Sequence, residues 1–112
     1  MDIAKLSRTA KALVTPGKGI LAADESSGTI KRRFDSINTE STEDKRRDYR
    51  EMLFRTDGVD AYISGVILYD ETIRQNAADG TSMVKVLSDR GIIPGIKVDK
   101  GTQPLAGAPN EL

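Results

Sequence analysis

The 112-residue sequence predicts an α/β fold in which parallel strands alternate with helices. Three short apolar runs have the length of strands, at residues 19–23, 63–68 and 92–98. The polar stretches between them carry capping signals and apolar residues at helical spacing. Strands that alternate with helices pair in parallel through right-handed crossovers. We therefore expect a leading helix and three parallel strands, with no helix after the third strand.

The composition is that of a globular protein, and it excludes several kinds of site. Seventeen basic residues balance seventeen acidic ones, so no overall field attracts nucleic acid or an anionic membrane. The chain has neither Cys nor His, which excludes disulfides, thiolate catalysis and imidazole-bound metal. No secretory signal and no apolar run of about 20 residues is found, so we expect a cytoplasmic location and no membrane contact.

The first helix and the first strand follow from two patterns. Apolar residues recur at helical spacing over residues 2–14, which predicts an amphipathic helix that ends at Thr15-Pro16-Gly17. Residues 19–23 are apolar throughout, as is typical of a parallel strand that is buried on both faces.

Two helices are expected between the first and second strands. Residues 26–28 predict a loop, and residues 29–36 a short helix. Residues 41–44 form a capping signal with Ser41 as the cap, and the helix that follows should end near Arg55. Its apolar spacing predicts that Tyr49, Met52 and Leu53 are buried.

One helix is expected between the second and third strands. Residues 56–58 end the preceding helix before the strand at residues 63–68. The turn at residues 79–82 caps a helix that carries Met83, Val84 and Leu87. Gly91 stands where a helix end favours a residue with positive φ.

Charged residues lie at the ends of all three strands. Asp24 follows the first strand, Asp70 and Glu71 follow the second, and Lys97 lies at the end of the third. Active sites of parallel α/β folds form at these carboxyl ends. A lysine there can bind an anion or form an imine, and an aspartate can direct proton transfer. The alternative is a structural Asp24–Lys97 ion pair.

Two basic clusters allow different interpretations. Residues 31–33, Lys-Arg-Arg, follow a glycine-containing loop and could bind phosphate together with Ser26, Ser27 or backbone N–H groups. Ordinary solvated helix charge explains the same cluster equally well. Residues 45–47, also Lys-Arg-Arg, are interpreted as solvated helix charge.

Four stretches resemble class I fructose-bisphosphate aldolases. They are residues 13–26 (LVTPGKGILAADES), 64–72 (SGVILYDET), 91–101 (GIIPGIKVDKG) and 104–107 (PLAG). The resemblance covers essentially the whole chain in order. It implies a (β/α)₈ TIM barrel of which these residues form the N-terminal part, with the leading helix and the first three strands.

The resemblance also implies a function and a set of site residues. The family cleaves fructose 1,6-bisphosphate reversibly to dihydroxyacetone phosphate and glyceraldehyde 3-phosphate, a lyase reaction of glycolysis and gluconeogenesis. It uses a lysine Schiff base, needs no cofactor or metal, and commonly forms homotetramers. By position, Asp24 and Lys97 resemble catalytic residues, and Arg33 and Thr29 resemble residues that bind the sugar-phosphate substrate.

The imine-forming lysine of the family belongs to a later strand, outside these 112 residues. The chain by itself is therefore expected to be inactive, and Lys97 is not expected to replace that lysine. The alternative is an inactive, truncated product that docks on full-length aldolase through its open strand edges.

Overall fold

The computed structural model describes residues 1–112 and has the predicted α/β class. Three strands form one parallel sheet in the order β1-β2-β3, after a leading helix, so this prediction is confirmed. The elements are α1 (Ile3–Leu13), β1 (Gly19–Ala23), α2 (Ser27–Asp35), α3 (Glu43–Phe54), α4 (Val59–Tyr62), β2 (Ile63–Leu68), α5 (Asp70–Ile73), α6 (Met83–Ser88) and β3 (Ile93–Ile96). None of the helices is long and apolar enough to cross a membrane.

The register of the sheet aligns the carboxyl ends of the strands. Ala23 of β1 pairs with Leu68 of β2, which pairs with Ile96 of β3. The pairing extends one step further, because the backbone N–H of Lys97 donates to the carbonyl of Leu68 at 2.9 Å. Residues that directly follow the three strands therefore lie next to each other at one edge of the sheet.

The apolar core lies on one face of the sheet only. Its nine buried residues come from β1 and β2, from the end of α3, from α6 and from the segments just before α6 and β3: Ala23, Phe54, Val66, Leu68, Ala77, Met83, Val86, Leu87 and Ile92. The prediction that β1 is buried on both faces is wrong, because only Ala23 of that strand is buried and Ile20 is 49% exposed. Within residues 1–112 the opposite face has no complete covering layer.

The end of α1 covers part of that opposite face. The Ser64 hydroxyl donates to the carbonyl of Leu13 at 2.6 Å and attaches the helix to β2. Gly65 makes the close approach possible, since a Cβ there would lie 2.5 Å from Leu13 Cδ2. No residue of α1 is buried, so the helix covers that face only in part.

Several element boundaries differ from the predicted ones. Helix α2 begins at Ser27, two residues early, because Ser26 caps it and its hydroxyl oxygen accepts from the Thr29 N–H at 3.4 Å. Strand β3 is shorter than residues 92–98, and Val98 is 89% exposed. The predicted cap of α6 is confirmed at Ser82, and Gly91 has φ +73°. The single-turn helices α4 and α5 were not predicted.

The predictions for α3 were partly wrong. Its cap is Thr42, and the hydroxyl of Ser41 instead accepts from Arg46 Nη1 at 3.1 Å. The expected apolar side is also incorrect, since Met52 is 57% exposed whereas Arg50 is fully buried. The remaining expected residues, Tyr49 and Leu53, are partly buried.

Arg50 connects α3 to the loops after two strands. Its Nη2 donates to the backbone carbonyl of Glu25 at 2.6 Å, and its Nη1 donates to the Thr72 hydroxyl at 3.0 Å. The guanidinium also lies over the Tyr69 ring, 5.8 Å from its centroid. Burial lowers the pKa of Arg50, but arginine stays charged at any ordinary pH. Acceptors and an aromatic face therefore have to compensate for the lost hydration.

A second arginine of α3 binds the start of α5. Arg46 donates to both carboxylate oxygens of Glu71, from Nε at 2.7 Å and from Nη2 at 2.8 Å. The interpretation of residues 45–47 as solvated charge is therefore wrong for Arg46, whose side chain is only 15% exposed. The hydrogen bonds from Arg46 lower the pKa of Glu71.

Replacing Arg50 is expected to destabilise the protein more than replacing a neighbouring surface arginine. Arg50→Met leaves the Glu25 carbonyl and the Thr72 hydroxyl without their donor, which should cost about 3–5 kcal/mol. Arg47→Met, on the same helix, removes a pair with the neighbouring Asp48 and should cost much less. Urea denaturation measures both, and equal losses would contradict the structural role of Arg50.

The Arg46–Glu71 pair is expected to stabilise the protein in a pH-dependent way. A carboxyl whose pKa is lower in the folded state adds stability above its unfolded value, here 4.5, and loses it as the pH falls through the folded value. Glu71→Gln should therefore cost about 1 kcal/mol at pH 7 and nothing well below pH 4. Unfolding at several pH values tests this, with the exposed Glu40→Gln as control. A cost that does not change with pH would refute it.

Candidate active site

A polar cavity opens at the carboxyl edge of the sheet. Its volume is about 690 Å³. Eight residues from the loops after the three strands line it: Ser26, Tyr69, Asp70, Lys97, Val98, Asp99, Lys100 and Gly101. The site is thus where parallel α/β folds form their active sites, and it combines cationic, anionic and hydroxyl groups.

Three polar side chains come from adjacent positions along that edge. Asp24, Tyr69 and Lys97 each directly follow one of the aligned residues that end the strands. Since neighbouring strands are about 4.8 Å apart, the Cα atoms of Asp24 and Lys97 are separated by about 10 Å.

Lys97 is held by an aspartate other than the expected one. Its Nζ donates to Asp99 Oδ2 at 2.6 Å, so the alternative of a direct Asp24–Lys97 ion pair is not what the structure shows. The bond to Asp99, with smaller contributions from Asp24 and Tyr69, raises the pKa of Lys97. A lysine with a raised pKa stays protonated and suits anion binding better than nucleophilic attack.

Arg33 and Thr29 lie on α2, and neither they nor Asp24 line the cavity. Arg33 Nη1 donates to Glu25 Oε2 at 2.6 Å, and 60% of the arginine side chain is exposed. The Thr29 hydroxyl accepts from the hydroxyl of Ser26 at 3.2 Å and from Arg32 at 3.3 Å.

The rest of the basic cluster at residues 31–33 makes only local contacts. Lys31 forms an exposed ion pair with Asp35 on the same helix, at 2.8 Å. Arg32 donates only to Thr29. Of the three cations, only Arg33 contacts the loop after β1 directly, through Glu25.

The sequence analysis missed three residues of this region. It assigns no role to Glu25, Arg50 or Tyr69. Tyr69 could have been found, because it follows the last residue of a predicted strand. Nothing in the sequence distinguishes Arg50 from the other arginines of its helix, since its burial depends on contacts 22 and 25 residues away.

No group of three or more His, Cys, Asp or Glu side chains in residues 1–112 is arranged to hold a metal ion. The carboxylates instead pair with arginines and lysines, as Glu25, Glu71 and Asp99 do. The chemistry of this region therefore consists of a cationic lysine, an unpaired aspartate at the sheet edge and several hydroxyl groups.

Comparison with known proteins gives a consistent result. Residues 5–112 match the family model "Fructose-bisphosphate aldolase class-I". A probable fructose-bisphosphate aldolase class 1 from Xanthomonas campestris is 58% identical over all 112 residues, which are 34% of that protein. The cytoplasmic isozyme of Spinacia oleracea is 55% identical over 107 residues, 96% of this chain and 30% of that protein. The chain thus spans about a third of the length of these relatives.

A solved structure is similar in fold as well as in sequence. It is the fructose-bisphosphate aldolase from Plasmodium falciparum, determined in complex with TRAP and a small-molecule inhibitor. Its TM-score to this chain is 0.88 at 52% identity, over 91% of this chain and 29% of that one. This likeness agrees with the expected leading part of a (β/α)₈ barrel. The chain belongs to the class I fructose-bisphosphate aldolase family.

Proposed function

We propose that this chain supplies part of the active site of a class I fructose-bisphosphate aldolase. The reaction is the reversible cleavage of fructose 1,6-bisphosphate to dihydroxyacetone phosphate and glyceraldehyde 3-phosphate, a step of glycolysis and gluconeogenesis. The activity is that of a protein that carries this sequence at the full length of its relatives, called here the family-length protein.

The observation that carries the proposal is the arrangement of Asp24, Tyr69 and Lys97 at one edge of the sheet. Lys97 is cationic and lines a cavity of about 690 Å³, large enough for a phosphorylated sugar. Asp24 has no ion-pair partner in the structure and is available to a substrate hydroxyl. This combination suits a polyhydroxylated anion.

We assign the four candidate residues two kinds of role. Asp24 directs proton transfer at the substrate hydroxyls beside the imine, and Lys97 neutralises negative charge on the substrate. Arg33 and Thr29 bind a substrate phosphate, the arginine through its planar fork of donors. In the cleavage step the C–C bond breaks, its electrons pass into the protonated imine, and a base takes the hydroxyl proton.

The lysine that forms the imine lies outside these 112 residues. A nucleophilic lysine needs a lowered pKa, whereas that of Lys97 is raised by Asp99. We further propose a cytoplasmic location, a homotetrameric assembly, and a reaction without cofactor or metal. The cytoplasmic and cytosolic names of two relatives support the location.

The docking alternative, in which the chain binds full-length aldolase without catalysing anything, depends only on the free edges of β1 and β3. It does not explain why polar side chains from all three strand ends line one cavity. The enzymatic proposal accounts for that arrangement, and we prefer it. Co-elution of this chain with intact aldolase in size-exclusion chromatography would favour the alternative.

Replacing Asp24 is expected to abolish most of the activity of the family-length protein. Asp24→Asn keeps the shape of the side chain but removes the proton acceptor, so kcat should fall by about 10²–10⁴-fold. A coupled assay of triose phosphate release measures it. Asp57→Asn, in the exposed turn before α4, is the control and should keep wild-type kcat. Full activity of Asp24→Asn would contradict the assigned role.

Reductive trapping is expected to separate Lys97 from the imine-forming lysine. Borohydride added with dihydroxyacetone phosphate should attach one substrate molecule to the wild-type family-length protein, as intact mass shows. Lys97→Arg should be trapped as well, because its imine lysine is intact, although its KM should rise. Peptide mapping that finds the adduct on Lys97 would overturn this assignment.

A further inference from the structure

We propose that Glu25, anchored by the buried Arg50, is a positioning residue that orients the Arg33 guanidinium for substrate phosphate. The inference rests on the proposed aldolase function and concerns two residues that have no assigned role. Glu25 lies between the buried Arg50 and the exposed Arg33. Because Arg50 holds Glu25 in place, Glu25 can restrict the orientation of the Arg33 side chain.

The contacts on the buried side fix Glu25. Its backbone carbonyl accepts from Arg50 Nη2 at 2.6 Å, and its own side chain is only 8% exposed. Its Oε1 lies 3.7 Å from the same Nη2, without a hydrogen-bond partner. Arg50 in turn is fixed by Thr72 and Tyr69, which belong to the segment after β2. Glu25 is therefore held in place by contacts to α3 and, through Arg50, to the segment after β2, in addition to the contacts within its own loop.

The contact on the exposed side leaves Arg33 available. Only Nη1 of Arg33 is bound, to Glu25 Oε2, and the side chain is 60% exposed. A guanidinium has five N–H donors in a rigid plane, so fixing one nitrogen orients the donors of the others. A long exposed arginine otherwise loses rotamer entropy when it binds, and this cost is reduced when the side chain is already oriented.

The position of Glu25 in the sequence connects this pair to the site. Glu25 directly follows Asp24, and it precedes Ser26, which caps α2 and lines the cavity. Arg33 lies in the last turn of the same helix. One carboxylate thus links the exposed cation in the last turn of α2 to the residue that follows the proposed catalytic aspartate.

The Glu25 carboxylate also has a second effect on phosphate binding, which opposes the benefit of orienting Arg33. The test must separate the two effects. A carboxylate beside Arg33 also repels an incoming phosphate, and its removal alone would strengthen binding. We expect orientation to dominate, because Glu25 remains paired to the buried Arg50 while Arg33 keeps free donors.

A double-mutant cycle in the family-length protein tests the proposal. Glu25→Gln keeps size and shape but removes the charge, and it should raise the KM for fructose 1,6-bisphosphate about tenfold with little change in kcat. In an Arg33→Ala background the same change should have no further effect, because the residue through which Glu25 acts is gone. Arg33→Lys is a second background, which keeps the charge but lacks the fork.

A control variant separates positioning from loss of stability. Asp60 pairs with Arg90 at 3.2 Å at the opposite end of the sheet, before β2 begins. Asp60→Asn removes a comparable carboxylate–guanidinium pair, and it should leave the KM unchanged even where the melting temperature falls.

The outcomes distinguish the inference from the proposed function. An active wild-type protein whose KM is unchanged by Glu25→Gln, or lowered by it, would overturn the positioning role alone. A tenfold effect that persists in the Arg33→Ala background would also overturn it, since a general structural role predicts that result. A wild-type protein that does not cleave fructose 1,6-bisphosphate would overturn the proposed function and this inference with it.

Discussion

The buried guanidinium of Arg50 is the constraint on which the arrangement of the site depends. Its charge cannot be removed by deprotonation, so folding has to supply acceptors for it inside the protein. The Glu25 carbonyl and the Thr72 hydroxyl provide them, and they belong to the segments after β1 and after β2. Satisfying one buried cation therefore joins α3 to two of the three segments that form the site.

The side chains linked to Arg50 become progressively more exposed from the protein interior outward. Arg50 is fully buried, Glu25 is nearly so, and Arg33 is mostly exposed. The Arg46–Glu71 pair adds a second link between α3 and α5. Such a gradient combines a rigid base with an accessible cation. The net charge of the chain is zero, so the net charge gives no indication of how these ion pairs are arranged.

The Lys97–Asp99 pair also gives the two proposed catalytic residues, Asp24 and Lys97, different roles. Because Asp99 is the partner of Lys97, the ammonium is fixed without occupying Asp24. The same bond raises the pKa of Lys97 and keeps it cationic. One lysine–aspartate pair thus accounts both for a charged cavity and for an aspartate that remains free to interact with a substrate.

The sequence by itself determined the types of the longer elements, the parallel alternation and the positions of Asp24 and Lys97 at strand ends. These features depend on local signals: apolar runs, capping residues such as Ser82, and glycines such as Gly91. Tertiary structure alone decided that Arg50 is buried while Met52 is exposed, that Lys97 pairs with Asp99, and that one face of β1 remains open. The physical reason is that burial and ion pairing depend on residues far apart in the chain, and helical spacing carries no information about which partners a charged side chain will meet.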